Sequence, residues 1–177
     1  MCQLKNIKRD CTIKSTPGLK TKIFFIEKED IDTWPAINGA PVAAGDSVKL
    51  VGNFALKATK EWKYVTATIN KGSLQTTMQG EPGSGFENIG KFAITGNDPG
   101  AVEFANCINS PCEKVFLLET REGYYRVLGT ENEGCNAKSI DLNTGEKPGD
   151  FNGGVYEFSS YGEVAYFYQG TITPIQA

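Results

Sequence analysis

The sequence predicts a mainly β protein: a β-sandwich or flattened barrel of about ten short strands, with one short α-helix on its flank and a long loop. Three observations lead there. Short runs of apolar, β-branched and aromatic residues recur along the chain, separated by Gly, Pro, Asn and Asp. Aromatic residues make up 11% of the chain and there are 20 glycines, a balance that suits strands joined by many turns. One stretch alone carries the start and stop signals of a helix. At 177 residues the chain fits a single domain, 1–177, large enough to bury a core without disulfide staples.

Residues 1–17 are basic and end at Pro17-Gly18, and read as an N-terminal arm or first edge strand. "LKTKIFFIEKED" (19–30) has an apolar centre, Ile23 to Ile26, flanked by charges, and reads as a strand. "IDTWPAINGAPVAAGD" (31–46) carries two prolines and two glycines and reads as a loop, so that 28–46 forms one long connection of the kind that is often functional. Its Trp34 is either a plug folded back onto the core or an anchor for a partner.

Four strands follow: "SVKLVG" (47–52), "FALKAT" (54–59), "WKYVTATIN" (62–70) and "SLQTTMQG" (73–80), the last two joined through Asn70-Lys71-Gly72 as a hairpin. "FENIGKFAIT" (86–95) is the next strand. In "DPGAVEFANCIN", Asp98 stands at an N-cap position and Pro99 at the first helical position. Val102, Ala105 and Ile108 recur with helical spacing, so the helix spans 99–108 and stops before Ser110-Pro111. "EKVFLLET" (113–120) and "YYRVLGT" (124–130) pair across a turn at Gly123, and "NAKSIDLN" (136–143) follows. The chain closes on "GVYEFSS" (154–160) and "EVAYFYQGTI" (163–172). In the last of these Val164, Tyr166 and Tyr168 alternate with Ala165 and Phe167, so both faces are apolar or aromatic. That pattern predicts burial on two sides or contact with a neighbouring subunit.

The chemistry-bearing residues are sparse. There is no histidine, which removes the Ser-His and Cys-His nucleophile pairs and the commonest zinc ligand. The formal net charge of −3 argues against binding nucleic acid through phosphate neutralisation. The cysteines, Cys2, Cys11, Cys107, Cys112 and Cys135, are odd in number and irregular in spacing, which reads as reduced thiols. Cys107 and Cys112 have a zinc-like gap but no second pair to complete a site. "EKEDID" (27–32) could offer Glu27, Glu29, Asp30 and Asp32 to a cation, and reads more simply as a solvated strand end. "GEKPGDFNGG" could hold calcium through Asp150 and Asn152, and reads as a turn. "GEPGSGFENIG" (80–90) lacks the Lys-Ser/Thr end of a phosphate loop. "ETREGYYR" reads as one tyrosine in the core and one on the rim. No apolar run is long enough to cross a bilayer, and the basic start "MCQLKNIKRDC" has no signal-peptide core, so the chain is expected to be made and folded in a cytoplasm.

Two stretches carry a family likeness. "GKFAITGNDPGAVEFANCINSPCEKVFLLETREGYYRVLGT" (90–130) and "TGEKPGDFNGGVYEFSSYGEVAYFYQGTI" (144–172) together make up about 70 of the 177 residues. The first, a strand, a helix and a strand pair, and the second, a polar turn followed by closing strands, resemble the tail tube proteins of tailed bacteriophages, particularly phages of Bacteroidetes hosts. The resemblance implies a virion structural protein, not an enzyme, with no cofactor, no catalytic residue and no metal site. Its partners would be further copies of itself in hexameric rings that stack, together with other tail proteins. DNA would pass through the lumen without specific binding, and no membrane would be involved. The protein would assemble in the host cytoplasm and reside in the virion. The loop at 28–46 and the N-terminal arm would bridge rings. The arm's basic stretch "KNIKR" (5–9) suits a contact with an acidic neighbour, not the DNA channel. Trp34, Tyr156, Phe158, Tyr166 and Tyr168 are the subunit-interface candidates, with no residue assigned to the lumen. The alternatives are another ring-forming virion part (a tail terminator, a connector or a capsid decoration protein), or a monomeric carbohydrate-binding module using Trp34, Trp62 and exposed tyrosines. A carboxylate hydrolase is set aside because no acidic pair stands in a recognisable frame.

Overall fold

A computed structural model of the chain describes residues 16–172. Most of the expected arm at 1–17 lies outside the described residues. In chain order the strands are β1 (Leu19–Glu27), β2 (Ile31–Thr33), β3 (Ala36–Ile37), β4 (Lys49–Val51), β5 (Ala55–Leu56), β6 (Lys63–Thr66), β7 (Ser73–Met78) and β8 (Phe86–Thr95). Helix α1 (Pro99–Ile108) comes next. Then follow β9 (Lys114–Thr120), β10 (Tyr125–Leu128), β11 (Asn136–Asn143), β12 (Gly153–Gly162) and β13 (Phe167–Tyr168).

The described strands form a seven-stranded sheet in the order β3-β4-β13-β10-β9-β1-β6, a four-stranded sheet in the order β11-β12-β8-β7, and a two-stranded ribbon of β2 and β5. The architecture is sandwich-like and mainly β, and it does not close into a barrel. There are thirteen described strands where about ten were expected, because the loop at 31–46 contains β2 and β3.

The core has two compartments, one on each face of the large sheet. Ile23, Phe116, Leu118 and Leu128 point towards the small sheet, where they meet Phe92, Tyr156 and Phe158, with Ala105 and Ile108 of α1 closing the flank. Phe24, Ile26, Val115, Leu117 and Val127 point the other way, into a layer made by Ile31, Leu50, Phe54, Trp62 and Tyr168. Side chains alternate faces along a strand, so β1 and β9 must be apolar on both. "KVFLLET" obeys this: Lys114 to Leu118 are all buried.

Several expectations are confirmed in detail. Asp98 caps α1, its Oδ1 accepting from the Ala101 N–H at 3.1 Å, with Pro99 in the first turn. The buried face of α1 is Ala101, Ala105 and Ile108; Val102, expected inside, is exposed. The β9–β10 hairpin turns at Gly123, whose φ of +90° suits glycine.

Other expectations are corrected. The predicted hairpin between 62–70 and 73–80 does not exist, because β6 and β7 belong to different sheets. The chain crosses between them: Ala67 N–H donates to Thr21 C=O of β1, and Thr68 N–H donates to Ala93 C=O of β8, both at 2.6 Å. Asn70, at φ +62°, then redirects the backbone. The strand expected at 163–172 shrinks to Phe167–Tyr168.

Candidate functional site

Three of the five interface candidates fill the chain's own core. Tyr156 is fully buried, stacked on Phe92 at 5.6 Å, and its hydroxyl donates to the Ala101 carbonyl of α1 at 3.2 Å. Phe158 packs on Phe116 with ring centroids 4.4 Å apart. Tyr168 lies 5.0 Å from Phe54 and donates to the Thr171 carbonyl at 2.9 Å. Side chains with no more than 2% exposure in the single chain have no surface to give a neighbour, so the subunit-contact role expected of them is corrected to core packing. The pattern misled because β12 alternates: Gly154, Tyr156, Phe158 and Ser160 face inward, while Val155 and Glu157 stand at the half-buried outer face. Trp34 and Tyr166 are half-buried. Trp34 rests edge-on against Phe54 at 5.3 Å and so joins the core on one side while keeping the other accessible.

Tyr166 is held by a device that the sequence did not reveal. Ala165 has its backbone groups satisfied by side chains in place of a strand partner. Its N–H donates to Asn88 Oδ1 at 3.0 Å, and its carbonyl accepts from Arg126 Nε at 2.9 Å and Nη2 at 2.6 Å. Asn88, itself buried, also donates from Nδ2 to the Glu163 carbonyl at 2.6 Å. Arg126 lies 4.2 Å from the Phe167 ring, and its burial pushes the guanidinium pKa down. Val127 N–H then donates to the Tyr166 carbonyl at 2.9 Å. These bonds fasten Glu163 to Tyr166 through side chains and one backbone bond, while strand pairing covers Phe167–Tyr168 only.

Trp34 and Tyr166 converge on one cleft of about 510 Å³. Its apolar lining comes from these two rings with Ile37, Leu50 and Val127. Its rim carries Glu131, Glu133 and Glu163 beside Tyr161, and no Lys or Arg lines it. Among the described residues none of the three glutamates makes an ion pair. Nor do three or more His, Cys, Asp or Glu side chains gather anywhere among those residues as metal ligands would. The cleft is therefore an acidic-rimmed aromatic surface, chemically suited to a cationic, partly apolar guest.

Outside the cleft, the motifs weighed above take ordinary structural places. Asp150 Oδ2 accepts from the N–H groups of Glu146 and Lys147 at 3.1 and 3.0 Å, which makes it a turn brace. Asp30 pairs with Lys60 at 3.0 Å and Glu27 with Lys114 at 3.4 Å. Tyr125 packs against the second core compartment, whereas Tyr124 is exposed. Cys107 and Cys112 are free and exposed; Cys135 is free and buried, and burial pushes its thiol pKa far up. Glu87 accepts from Lys138 Nζ at 2.9 Å and from Tyr161 Oη at 3.3 Å. Among the described residues no helix is long and apolar enough to cross a membrane.

No family model matches this chain, and no curated protein and no solved structure matches it either.

Proposed function

We propose that this chain is a self-assembling virion structural protein of the phage tail tube type. Copies join into hexameric rings, the rings stack, and DNA passes through the lumen without specific binding. Other tail proteins are its partners at the ends of the tube, and the virion is its destination.

The observation that carries this reading is β7. It is the outer strand of the small sheet, six residues long, without a charged residue or a bulge in its pairing with β8. The other described sheet edges are protected in the usual ways: β3 has two residues, β6 carries Lys63, β11 carries Lys138 and Asp141, and the ribbon strands β2 and β5 have three and two residues. An uncharged, regular edge strand of this length invites pairing with another chain. In a ring, each copy's open edge is covered by the next copy.

A second feature supports stacking. The tip of the long loop, Asn38 to Gly45, is braced by Asp46, whose Oδ2 accepts from the N–H groups of Val42 and Ala43 at 3.2 and 2.7 Å. Val42 at this tip is 87% exposed, as a residue meant for a neighbour would be. The carbohydrate-module alternative loses one of its platforms, because Trp62 is buried.

Negative-stain microscopy of concentrated protein tests the reading. Rings or tubes are the expected result. Rings that never stack would shift the assignment to a terminator, connector or decoration protein. Strictly monomeric material at high concentration would overturn it.

A further inference from the structure

The sequence holds two Asn-Gly pairs, Asn38-Gly39 and Asn152-Gly153, both within the described residues. In such a pair the glycine nitrogen can approach the asparagine side-chain carbon Cγ without hindrance from a side chain of its own. The fold treats the two pairs in opposite ways.

Asn38 follows β3 at the foot of the loop tip, and its Oδ1 accepts from the Ala40 N–H at 3.2 Å. This bond, two residues forward, is an Asx turn, and it holds Cγ against the peptide that joins Asn38 to Gly39. The same bond polarises the Cγ carbonyl and favours negative charge developing on Oδ1. Gly39 is exposed, and its N–H has no hydrogen-bond partner among the described residues. Its φ lies outside the left-handed region, and a Cβ placed on it would meet nothing within 4 Å.

Asn152 is held back from the same approach. Its Oδ1 accepts from Asn97 Nδ2 at 2.7 Å, and its carbonyl accepts from the Gly96 N–H at 2.9 Å. Gly153 is buried between Thr95 of β8 and Asn143 of β11. A nitrogen fixed inside a sheet reaches its neighbour's side chain only if that pairing opens.

We propose that Asn38 is a site of spontaneous deamidation built into the loop tip, and that the fold spares Asn152. The Gly39 nitrogen gives its proton to hydroxide and attacks Asn38 Cγ. The new N–C bond closes a succinimide ring, while the side-chain nitrogen takes a proton from water and leaves as ammonia. Water then opens the ring. Attack at Cγ breaks its bond to the Gly39 nitrogen and leaves aspartate. Attack at the Asn38 backbone carbonyl carbon breaks the original peptide bond and leaves isoaspartate. The sum is amide plus water giving acid plus ammonia, with no change of oxidation state. Either product places a negative charge at the foot of the tip, and isoaspartate also lengthens the backbone between β3 and Asp46. The reaction needs water and this chain alone, so it is independent of the assembly reading.

The test holds the dilute full-length chain in mildly alkaline buffer and follows the peptides of both asparagines by mass spectrometry. Conversion to the acid is expected at Asn38 at least about tenfold faster than at Asn152, a barrier difference on the scale of one hydrogen bond. In urea the two sites should converge in rate. Gly39→Ala adds a methyl group to open space, so circular dichroism should be unchanged while conversion at Asn38 falls about tenfold or more. No conversion at Asn38, equal rates in the folded chain, a gap that persists in urea, or unslowed conversion in Gly39→Ala would each overturn the proposal. Rings built from unconverted protein sink only this inference, and conversion in a strictly monomeric protein sinks only the tail-tube assignment.

Discussion

At the scale of single residues, the largest effects come from buried polar groups that stand in for missing backbone partners. Asn88 is the clearest case. It satisfies the Ala165 N–H and the Glu163 carbonyl, and its Oδ1 also accepts from Thr76 Oγ1 at 2.7 Å. Asn88→Ala leaves the buried Ala165 N–H without a partner and should cost about 2–3 kcal/mol, measurable as a lowered urea midpoint. An unchanged midpoint would mean that the clamp does not hold the tail. By contrast the Lys20–Glu119 pair, with Lys20 half in solvent, contributes under about 1 kcal/mol. Two carboxylates make stability depend on pH. A hydrogen bond from Lys28 holds the Glu113 carboxyl below its ordinary range, and Lys138 does the same for Glu87. A pKa depressed on folding contributes stability that is fully present above the unfolded value, about 4.3 for Glu. It is lost as pH falls through the folded values. Thermal stability should therefore drop on acidification below that range, and the Glu87→Gln and Glu113→Gln double variant should show a flatter acid limb. The Asn88 clamp was not legible in the sequence, since an Asn inside "FENIGKFAIT" looks like any strand polar residue until its distant partner is placed beside it.

At the scale of elements, local signals were read well wherever they were self-contained. "DPGAVEFANCI" holds its own cap, its own first-turn proline and its own apolar face, and α1 has the expected bounds. β8 and β11 also keep theirs. Strands that depend on a remote partner were read less well: "FALKAT" pairs only at Ala55–Leu56 with β2, and the final strand is displaced by the clamp. The two-sided burial or subunit contact expected of the closing strand is met in part, with Val164 to Tyr168 buried or half-buried, and fuller two-sided burial falls to β1 and β9, whose alternate residues feed the two core compartments. β12 offers a sharp test of register. Gly153 begins the strand at φ +153°, opposite Thr95, and a Cβ there would overlap the Ile94 carbonyl oxygen. Gly153→Ala should force the β8–β12 pairing apart at that end, costing about 1–3 kcal/mol, with amide exchange accelerating first around residues 94–97 and 152–155. Uniform exchange across β8 in that variant would show that the backbone accommodates the methyl group.

At the scale of the whole molecule, the decisive features are the edges and ends of the sheets. If β7 is the assembling edge, Gln75→Lys with Thr77→Lys should leave the fold intact, because both side chains are exposed, and should leave the protein monomeric. Sedimentation would report the monomer and far-ultraviolet circular dichroism the unchanged fold; rings assembled from this variant would remove β7 from the interface. The sequence by itself determined the mainly β class, the single helix with its cap, the apolar centre Ile23 to Ile26 of the first strand, and the scarcity of catalytic groups, because each is written in composition or in a period of two or 3.6 residues. Only the tertiary structure decided which aromatic rings fill the core, which strand ends a sheet unprotected, and that Trp34, Tyr166 and three glutamates share one cleft. Those facts depend on contacts between segments far apart in the chain, such as Phe92 with Tyr156 or Trp34 and Tyr166 at one cleft, and no local period encodes which distant strand a segment will meet.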